Sequence, residues 1–287
     1  MRIIQRKKGK KRYFYLQHSF RKGGKVVTKE MYLGKRIPKN IDRIKQVLEG
    51  EAKKSIHSRL EKIKSNFQKE WEKYPTSIKN KEIEQIAVAF TYNTNAIEGS
   101  TITLEEAREI IEDKIAPNKP IREIKETEAH YRIFLDTLKK KGKISNELLL
   151  RWHKGIFEET KSDIAGKYRR YLVTIAGYIA PDWRNIKKLI NLLIKFINRE
   201  RIKINPVELA AIAHYRFEKI HPFGDGNGRI GRLMMNHILW HNGYPMMIIE
   251  YKKRRTYYKA LQKDEKGFVN YFLKKYLAVH KKRFNNK

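Results

Sequence analysis

The stretch His221-Pro-Phe-Gly-Asp-Gly-Asn-Gly-Arg-Ile-Gly-Arg232 gathers a titratable base, a carboxylate, alternating glycines and two arginines. Glycines at 224, 226 and 228 allow φ > 0, so that successive backbone N–H groups line one concavity, a nest for an anion. A helix expected to start near Asn227 aims its positive dipole end at the same place. Arg229 and Arg232 lie three apart on one face of that helix, spaced to fork onto a phosphate-bearing ligand. Asp225 in so positive a site reads as a ligand for Mg2+, an ion that phosphates and a carboxylate commonly share. His221 at the loop entrance has the pKa range to move protons near neutral pH. Each residue alone has an ordinary alternative: a structural histidine, a plain glycine turn, two solvated arginines. Their conjunction points to a nucleotide or phosphate site.

The elements that must hold this loop are helices. Apolar residues recur at helical spacing from Ile41 to Trp71, where Tyr74-Pro75 stops the run, and again from about Lys81 through Ile83, Ile86 and Phe90 to Gly99. Thr103 and Glu106 form a capping box ahead of a short helix ended by Pro117. Further helices are expected near 121–140, 145–160 and 183–203, and after Asn205-Pro206, which supplies an N-cap and a proline at N1. The last two are expected over 227–242 and 251–284. Tyr168–Pro181 reads as a hairpin around Gly177. The first forty residues differ: aromatic and β-branched runs flank Gly23-Gly24 and predict a β-hairpin or small meander. The expected fold is therefore mainly α, with a basic β-rich region over 1–40, a helical linker region over 41–80 and the main helical domain over 81–287.

Composition sets bounds on function. The 287 residues include 65 Lys+Arg against 31 Asp+Glu, a formal net charge of +34, and no cysteine, so disulfides, zinc ribbons and thiol catalysis are excluded. Residues 1–40 carry 14 basic residues against Glu30 alone, and 252–287 carry 13 against two acids, so most of the excess charge belongs to the two ends. No apolar stretch is long enough to span a bilayer, and no apolar region follows the basic start, so no membrane partner and a cytoplasmic location are expected.

His221–Arg232 resembles the Fic motif, H-x-F-x-[D/E]-G-N-G-R-x-x-R, at every fixed position. The resemblance implies a Fic-type helical bundle with a β-hairpin flap and a protein adenylyltransferase. Such an enzyme moves AMP from ATP, with Mg2+, onto a Tyr, Ser or Thr hydroxyl of a target protein. It makes His221 the base, Asp225 the Mg2+ ligand, Gly226, Asn227 and Gly228 the anion hole, and Arg229 and Arg232 the partners of the β- and γ-phosphates. Phe223 becomes a core anchor. It extends over roughly residues 80–265. Gly166-Lys-Tyr-Arg169 followed by Val173, Thr174, Ile175 and Ala176 resembles the flap hairpin, whose edge strand registers the target and covers the nucleotide. Tyr257 and Tyr258 resemble residues of the helix bordering the adenine, although Glu265 stands where many members have Asn.

Thr94-Asn-Ala-Ile-Glu98-Gly99 resembles the family's inhibitory motif, [S/T]-x-x-x-E-[G/N], on a helix (about 81–98) ahead of the catalytic loop. The resemblance implies autoinhibition: Glu98 pairs with Arg232 and repels the triphosphate. In some relatives the same glutamate supports removal of AMP. Self-modification, homo-oligomerisation, and transfer of UMP, phosphate or phosphocholine are further options within the family. The alternative from another class is a nucleic-acid-binding regulatory protein. There residues 1–40, with Tyr13, Phe14, Tyr15 and Tyr32 among cations, would track phosphates and stack bases, and the Fic core would sense nucleotide.

Overall fold

The computed structural model describes residues 1–22, 25–175 and 177–285, in two compact units, 1–62 and 63–287. In the first unit, β1 (Arg2–Lys8), β2 (Lys11–Lys22) and β3 (Lys25–Gly34) form an antiparallel sheet in the order β1-β2-β3, the meander that the aromatic runs predict. Gly23 and Gly24, assigned to its turn, lie outside the described residues. Register pairs Tyr15 with Tyr32 and Leu16 with Met31, so alternation sends the tyrosines to one face and leucine and methionine to the other. The apolar face buries Leu16 and Leu33 with Phe14 and Met31, packed against Ile41 and Ile44 of α1 (Ile41–Lys73).

The second unit is helical. After α1 come α2 (Thr76–Ile97), α3 (Leu104–Arg108), α4 (Ile121–Lys139) and α5 (Asn146–Phe157). A two-stranded hairpin of β4 (Thr174–Ile175) and β5 (Tyr178–Ile179) precedes α6 (Ile186–Glu200), α7 (Pro206–Ile220), α8 (Asn227–His241), α9 (Arg254–Leu261) and α10 (Glu265–His280). The mainly α architecture with a hairpin flap and N-terminal strands matches the expectation. Two boundaries differ. α2 begins at Thr76, directly after Pro75, rather than near Lys81, because the proline that stops α1 also presets the entry to the next helix. The single helix expected over 251–284 is broken between α9 and α10, where the Asp264 side chain accepts the Gly267 N–H and starts a new first turn.

The capping chemistry behaves as its residues dictate. Thr103 and Glu106 satisfy each other's backbone N–H groups, and Asn205 accepts from the N–H of Val207 ahead of Pro206. α7 is buried from Val207 to His214 and α8 from Asn227 to Leu239, which makes these two the central pair of the unit, with polar groups such as Arg229, Arg232 and Asn236 buried among the apolar ones. Ala210, Ala211 and Ala213 thin α7, and Gly231 thins α8: a Cβ there would collide with His214 and Glu218 of α7. The connection between α7 and α8 is His221–Gly226, so the candidate loop hangs between two deeply buried helices.

Candidate active site

The loop is shaped by its own residues. Asn227 turns back on it, its carboxamide accepting the Phe223 N–H at 2.8 Å and donating to the Phe223 carbonyl at 2.9 Å. Phe223 is fully buried and stacks on His153, as an anchor should. Gly226 sits at φ +79, where a Cβ would strike the Phe157 ring, so position 226 requires glycine. His221 caps α7 in the left-handed region at φ 49, an uncommon conformation for a non-glycine residue.

That strain is held by Arg169, which is itself buried. Its Nε donates to the His221 carbonyl at 2.8 Å, and its terminal nitrogens donate to the carbonyls of Tyr171 at 2.5 Å and Pro181 at 2.7 Å. Its backbone N–H donates to Pro222. One guanidinium thus ties the catalytic loop to both ends of the flap. Val173 and Thr174–Ile175 form the first limb of that flap, with Ile175 paired to Tyr178 across Gly177; Ala176 lies outside the described residues. The Tyr178 hydroxyl donates to the Lys219 carbonyl, fastening the second limb to the last turn of α7. Burial pushes the His221 imidazole below its ordinary pKa; Arg169 adds to this, and the Glu218 carbonyl and the Glu98 and Asp225 carboxylates oppose it. A neutral imidazole near pH 7 is ready to take a proton.

The two arginines are each engaged by an internal carboxylate. Arg232, with a side chain 2% exposed, donates from Nε to Thr94 Oγ1 at 2.6 Å and from Nη2 to Glu98 Oε1 at 2.6 Å and the Thr94 carbonyl at 3.2 Å. Thr94 and Glu98 are one turn apart on α2, so both reach one guanidinium. A Cβ on Gly228 would collide with the Glu98 carboxylate, which therefore lies directly against the backbone of the nest. Gly99, at φ +97, ends α2 and lets the chain turn away behind that carboxylate.

Arg229 lies over the Phe157 ring and pairs with Glu126 of α4, and more loosely with Asp225 at 3.4 Å. Burial alone would raise the Asp225 pKa, but Arg229, a hydrogen bond from Lys161 and the Gly226 N–H outweigh it and hold the carboxyl at about 2. The His153 pKa is lowered to about 4, by burial first, and the Gly166 N–H donates to its Nδ1. Its Nε2 therefore carries the proton and bonds the Asp225 carbonyl at 3.0 Å.

Of the sixteen candidate site residues fifteen are described, and thirteen of these lie on the His221–Arg232 segment, at the end of α2 or on the flap. Tyr257 is instead buried in the core, its hydroxyl 2.7 Å from His214 Nε2, packed beneath the site rather than lining it. Tyr258 is partly exposed and donates to the carbonyl of Ile97, next to Glu98. Glu265, at the departure from the family pattern, is engaged bidentately by Arg216. Sequence reasoning missed Glu126, Lys161 and His153, and placed Gly166–Arg169 at the flap without giving the Arg169 side chain a role. For Glu126 a signal existed: Glu126, Thr127 and His130 put polar groups on the buried stripe of α4.

Residues 143–239 match the protein family described as Fic/DOC family. The chain is 33% identical over 189 residues to Protein adenylyltransferase Fic of Nematostella vectensis, covering 64% of this chain and 44% of that protein. It is 32% identical over 198 residues to Protein adenylyltransferase fic-1 of Caenorhabditis elegans, covering 67% of this chain and 39% of that one. The chain thus spans about two fifths of the length of the curated relatives it matches. The solved structure of C. elegans Fic-1 superposes with a TM-score of 0.69 at 27% identity, over 84% of this chain and 73% of that one. A Fic domain containing signalling protein from Bacteroides thetaiotaomicron shares the fold, with a TM-score of 0.69 at 24% identity over 77% of this chain and 94% of that one. Residues 143–239 thus carry a Fic/DOC domain, within a helical unit that shares the fold of solved Fic proteins.

Proposed function

We propose that the protein is an adenylyltransferase that moves AMP from ATP to a hydroxyl side chain of a target protein and is held in check by Glu98. The observation that carries this reading is the carboxylate of Glu98, seated against Gly228 and bonded to Arg232: the nest already holds an anion, and the anion is the protein's own. The same pocket suits the terminal phosphates of ATP once the carboxylate leaves. A target hydroxyl registered along residues 173–175 loses its proton to the neutral His221 as its oxygen attacks the α-phosphorus. The bond from that phosphorus to the bridging oxygen breaks, and pyrophosphate leaves toward Arg229 and Arg232. Such a displacement rests on in-line positioning and charge neutralisation, which a rigid nest and two fixed arginines supply.

The donors present also fit Mg2+. Asp225 is ionised far below neutral pH and offers the hard oxygen that this ion prefers, with Glu126 as a second carboxylate beside it. When bound there, the ion would neutralise phosphate charge. The decisive assay incubates wild type, Glu98→Gly and Glu98→Gly/His221→Ala with ATP labelled at the α- or the γ-phosphate. Label from the α-phosphate alone should appear on protein in the Glu98→Gly sample and vanish with His221→Ala, since one general base contributes about 10²–10⁴-fold. Label from the γ-phosphate, or from UTP in preference to ATP, would refute AMP as the transferred group. Among the described residues no helix is long and apolar enough to cross a membrane, and we assign the activity to the cytoplasm.

A second role is supported for the N-terminal sheet. One face carries Tyr32 against both Tyr13 and Tyr15, with Arg6 4.9 Å above the Tyr15 ring. Aromatic faces among cations suit single-stranded nucleic acid. Binding to a labelled oligonucleotide that weakens steeply with salt and disappears in Tyr15→Ala/Tyr32→Ala supports that role; retained binding removes it.

A further inference from the structure

Lys161 has no place in the family motif, yet it occupies the centre of the cavity. It follows α5 in a tight turn, its backbone N–H donating to the Phe157 carbonyl, and its stem runs back over the Phe157 ring with Nζ 5.0 Å from the centroid. Nζ lies 2.5 Å from Asp225 Oδ2 and 3.1 Å from Glu126 Oε1. The cavity they share with Arg229 has a volume of about 120 Å3. An ammonium bridging two carboxylate oxygens from different elements is the arrangement that a bound cation would otherwise make. Two carboxylates here face two cations, Lys161 and Arg229, so the cluster is neutral without any metal.

We infer that Lys161 is a resident counter-cation that closes Asp225 to divalent metal until nucleotide arrives. The inference rests on reading Asp225 as the metal ligand. A free divalent ion approaching Asp225 finds its charge already neutralised and an ammonium in the position it needs. It must evict Lys161 or tolerate two like charges within a few ångströms, a repulsion that the partly buried setting strengthens. A triphosphate reverses the balance. It brings several negative charges into the cavity, gives the displaced ammonium a new partner at the end of its flexible stem, and carries the metal with it. Metal therefore binds as a complex with nucleotide rather than ahead of it. The arrangement also spares the empty site the mutual repulsion of Asp225 and Glu126.

The test is Mn2+ binding to nucleotide-free protein, followed by the loss of the free-ion paramagnetic resonance signal. Lys161→Met keeps the length and removes the charge; Lys161→Gln serves as a second neutral variant should the first melt at a lower temperature than wild type. Either should bind Mn2+ about ten-fold more tightly than wild type, the order expected from removing one nearby charge in a partly solvated site. Lys161→Arg should bind it as weakly as wild type. Adding Asp225→Asn to Lys161→Met should abolish the gain. Unchanged Mn2+ affinity in folded Lys161→Met and Lys161→Gln overturns the inference and leaves the reading of Asp225 standing. A gain that survives Asp225→Asn overturns both, because the metal then sits elsewhere.

Discussion

Two arginines three residues apart each meet a glutamate from another helix, and the two pairs are built for different purposes. Glu126 has a side chain only 10% exposed, is shared between Arg229 and Lys161, and comes from the middle of α4. Glu98 has a side chain 26% exposed, engages one arginine through one oxygen, and stands at the very end of α2. On the proposed function, the first pair is framework. On the same reading the second is a stopper, a charge at the last turn of a helix set where a substrate anion would fit. Burial and position on the helix, more than the pairing itself, distinguish a structural ion pair from an inhibitory one.

That distinction breaks first at Glu126. Glu126→Ala leaves a buried Arg229 without its carboxylate, a change that typically costs about 3–5 kcal/mol, and the melting temperature should drop by many degrees with loss of transfer. Equal stability of Glu126→Ala and wild type would erase the difference between the pairs. Glu98→Gly should do the opposite. Transfer should rise about ten-fold or more, as losing a charge-assisted hydrogen bond worth about 1.5–3 kcal/mol implies, with a much smaller fall in melting temperature than Glu126→Ala gives. Calorimetry and label incorporation on the two variants side by side measure both quantities.

Glu123 sharpens the comparison further. Its Oε2 accepts from Ser100 Oγ, the Thr101 N–H and Thr101 Oγ1, at 2.9, 2.6 and 3.1 Å, and so pins the loop that follows Glu98. Glu123→Ala should loosen the stopper without removing it, raising basal transfer by about two- to five-fold and adding little in a Glu98→Gly background; additive effects would detach Glu123 from inhibition. The smallest effect concerns protons. The His221 pKa is lowered, so its base form predominates at neutral pH. The rate of Glu98→Gly should be flat above about pH 6.5, the ordinary histidine value, and fall as pH drops through the lowered one. Stability has its own acid limit. His153 and His280, lowered by burial to about 4, and His214, lowered to about 3, stay neutral when folded but take protons near 6.5 when unfolded. Their contribution is full above that value and is lost as pH falls toward 4, which a melting series across pH 8 to 4 should record.

The loop from His221 to Arg232 was legible because its chemistry is local: glycine spacing and helix phase decide it within twelve residues. The capping signals at Thr103 and Asn205 were legible for the same reason. Glu126, Lys161 and Arg169 were not, because each acts across 52 to 103 residues of chain on a partner whose distance the sequence does not record. Alone, each is one charged side chain among many in a chain where a third of residues are charged. Tyr257 and Tyr258 illustrate a different limit. Adjacent residues on a helix point about 100° apart, so one of a pair can be core while its neighbour meets solvent.

Glu98 is the C-cap of α2, held in its turn by backbone hydrogen bonds to Asn95 and Ala96. Terminal turns are where helices fray, and here fraying would break those bonds together with the ones Glu98 makes to Arg232 and Glu123 makes to the following loop. Under the proposed inhibition, release of Glu98 would then be a local melting event. Warming favours it, a ligand or partner that captures the unwound turn favours it, and cooling suppresses it. On the proposed function, the basal transfer rate would then report the stability of a single helix turn.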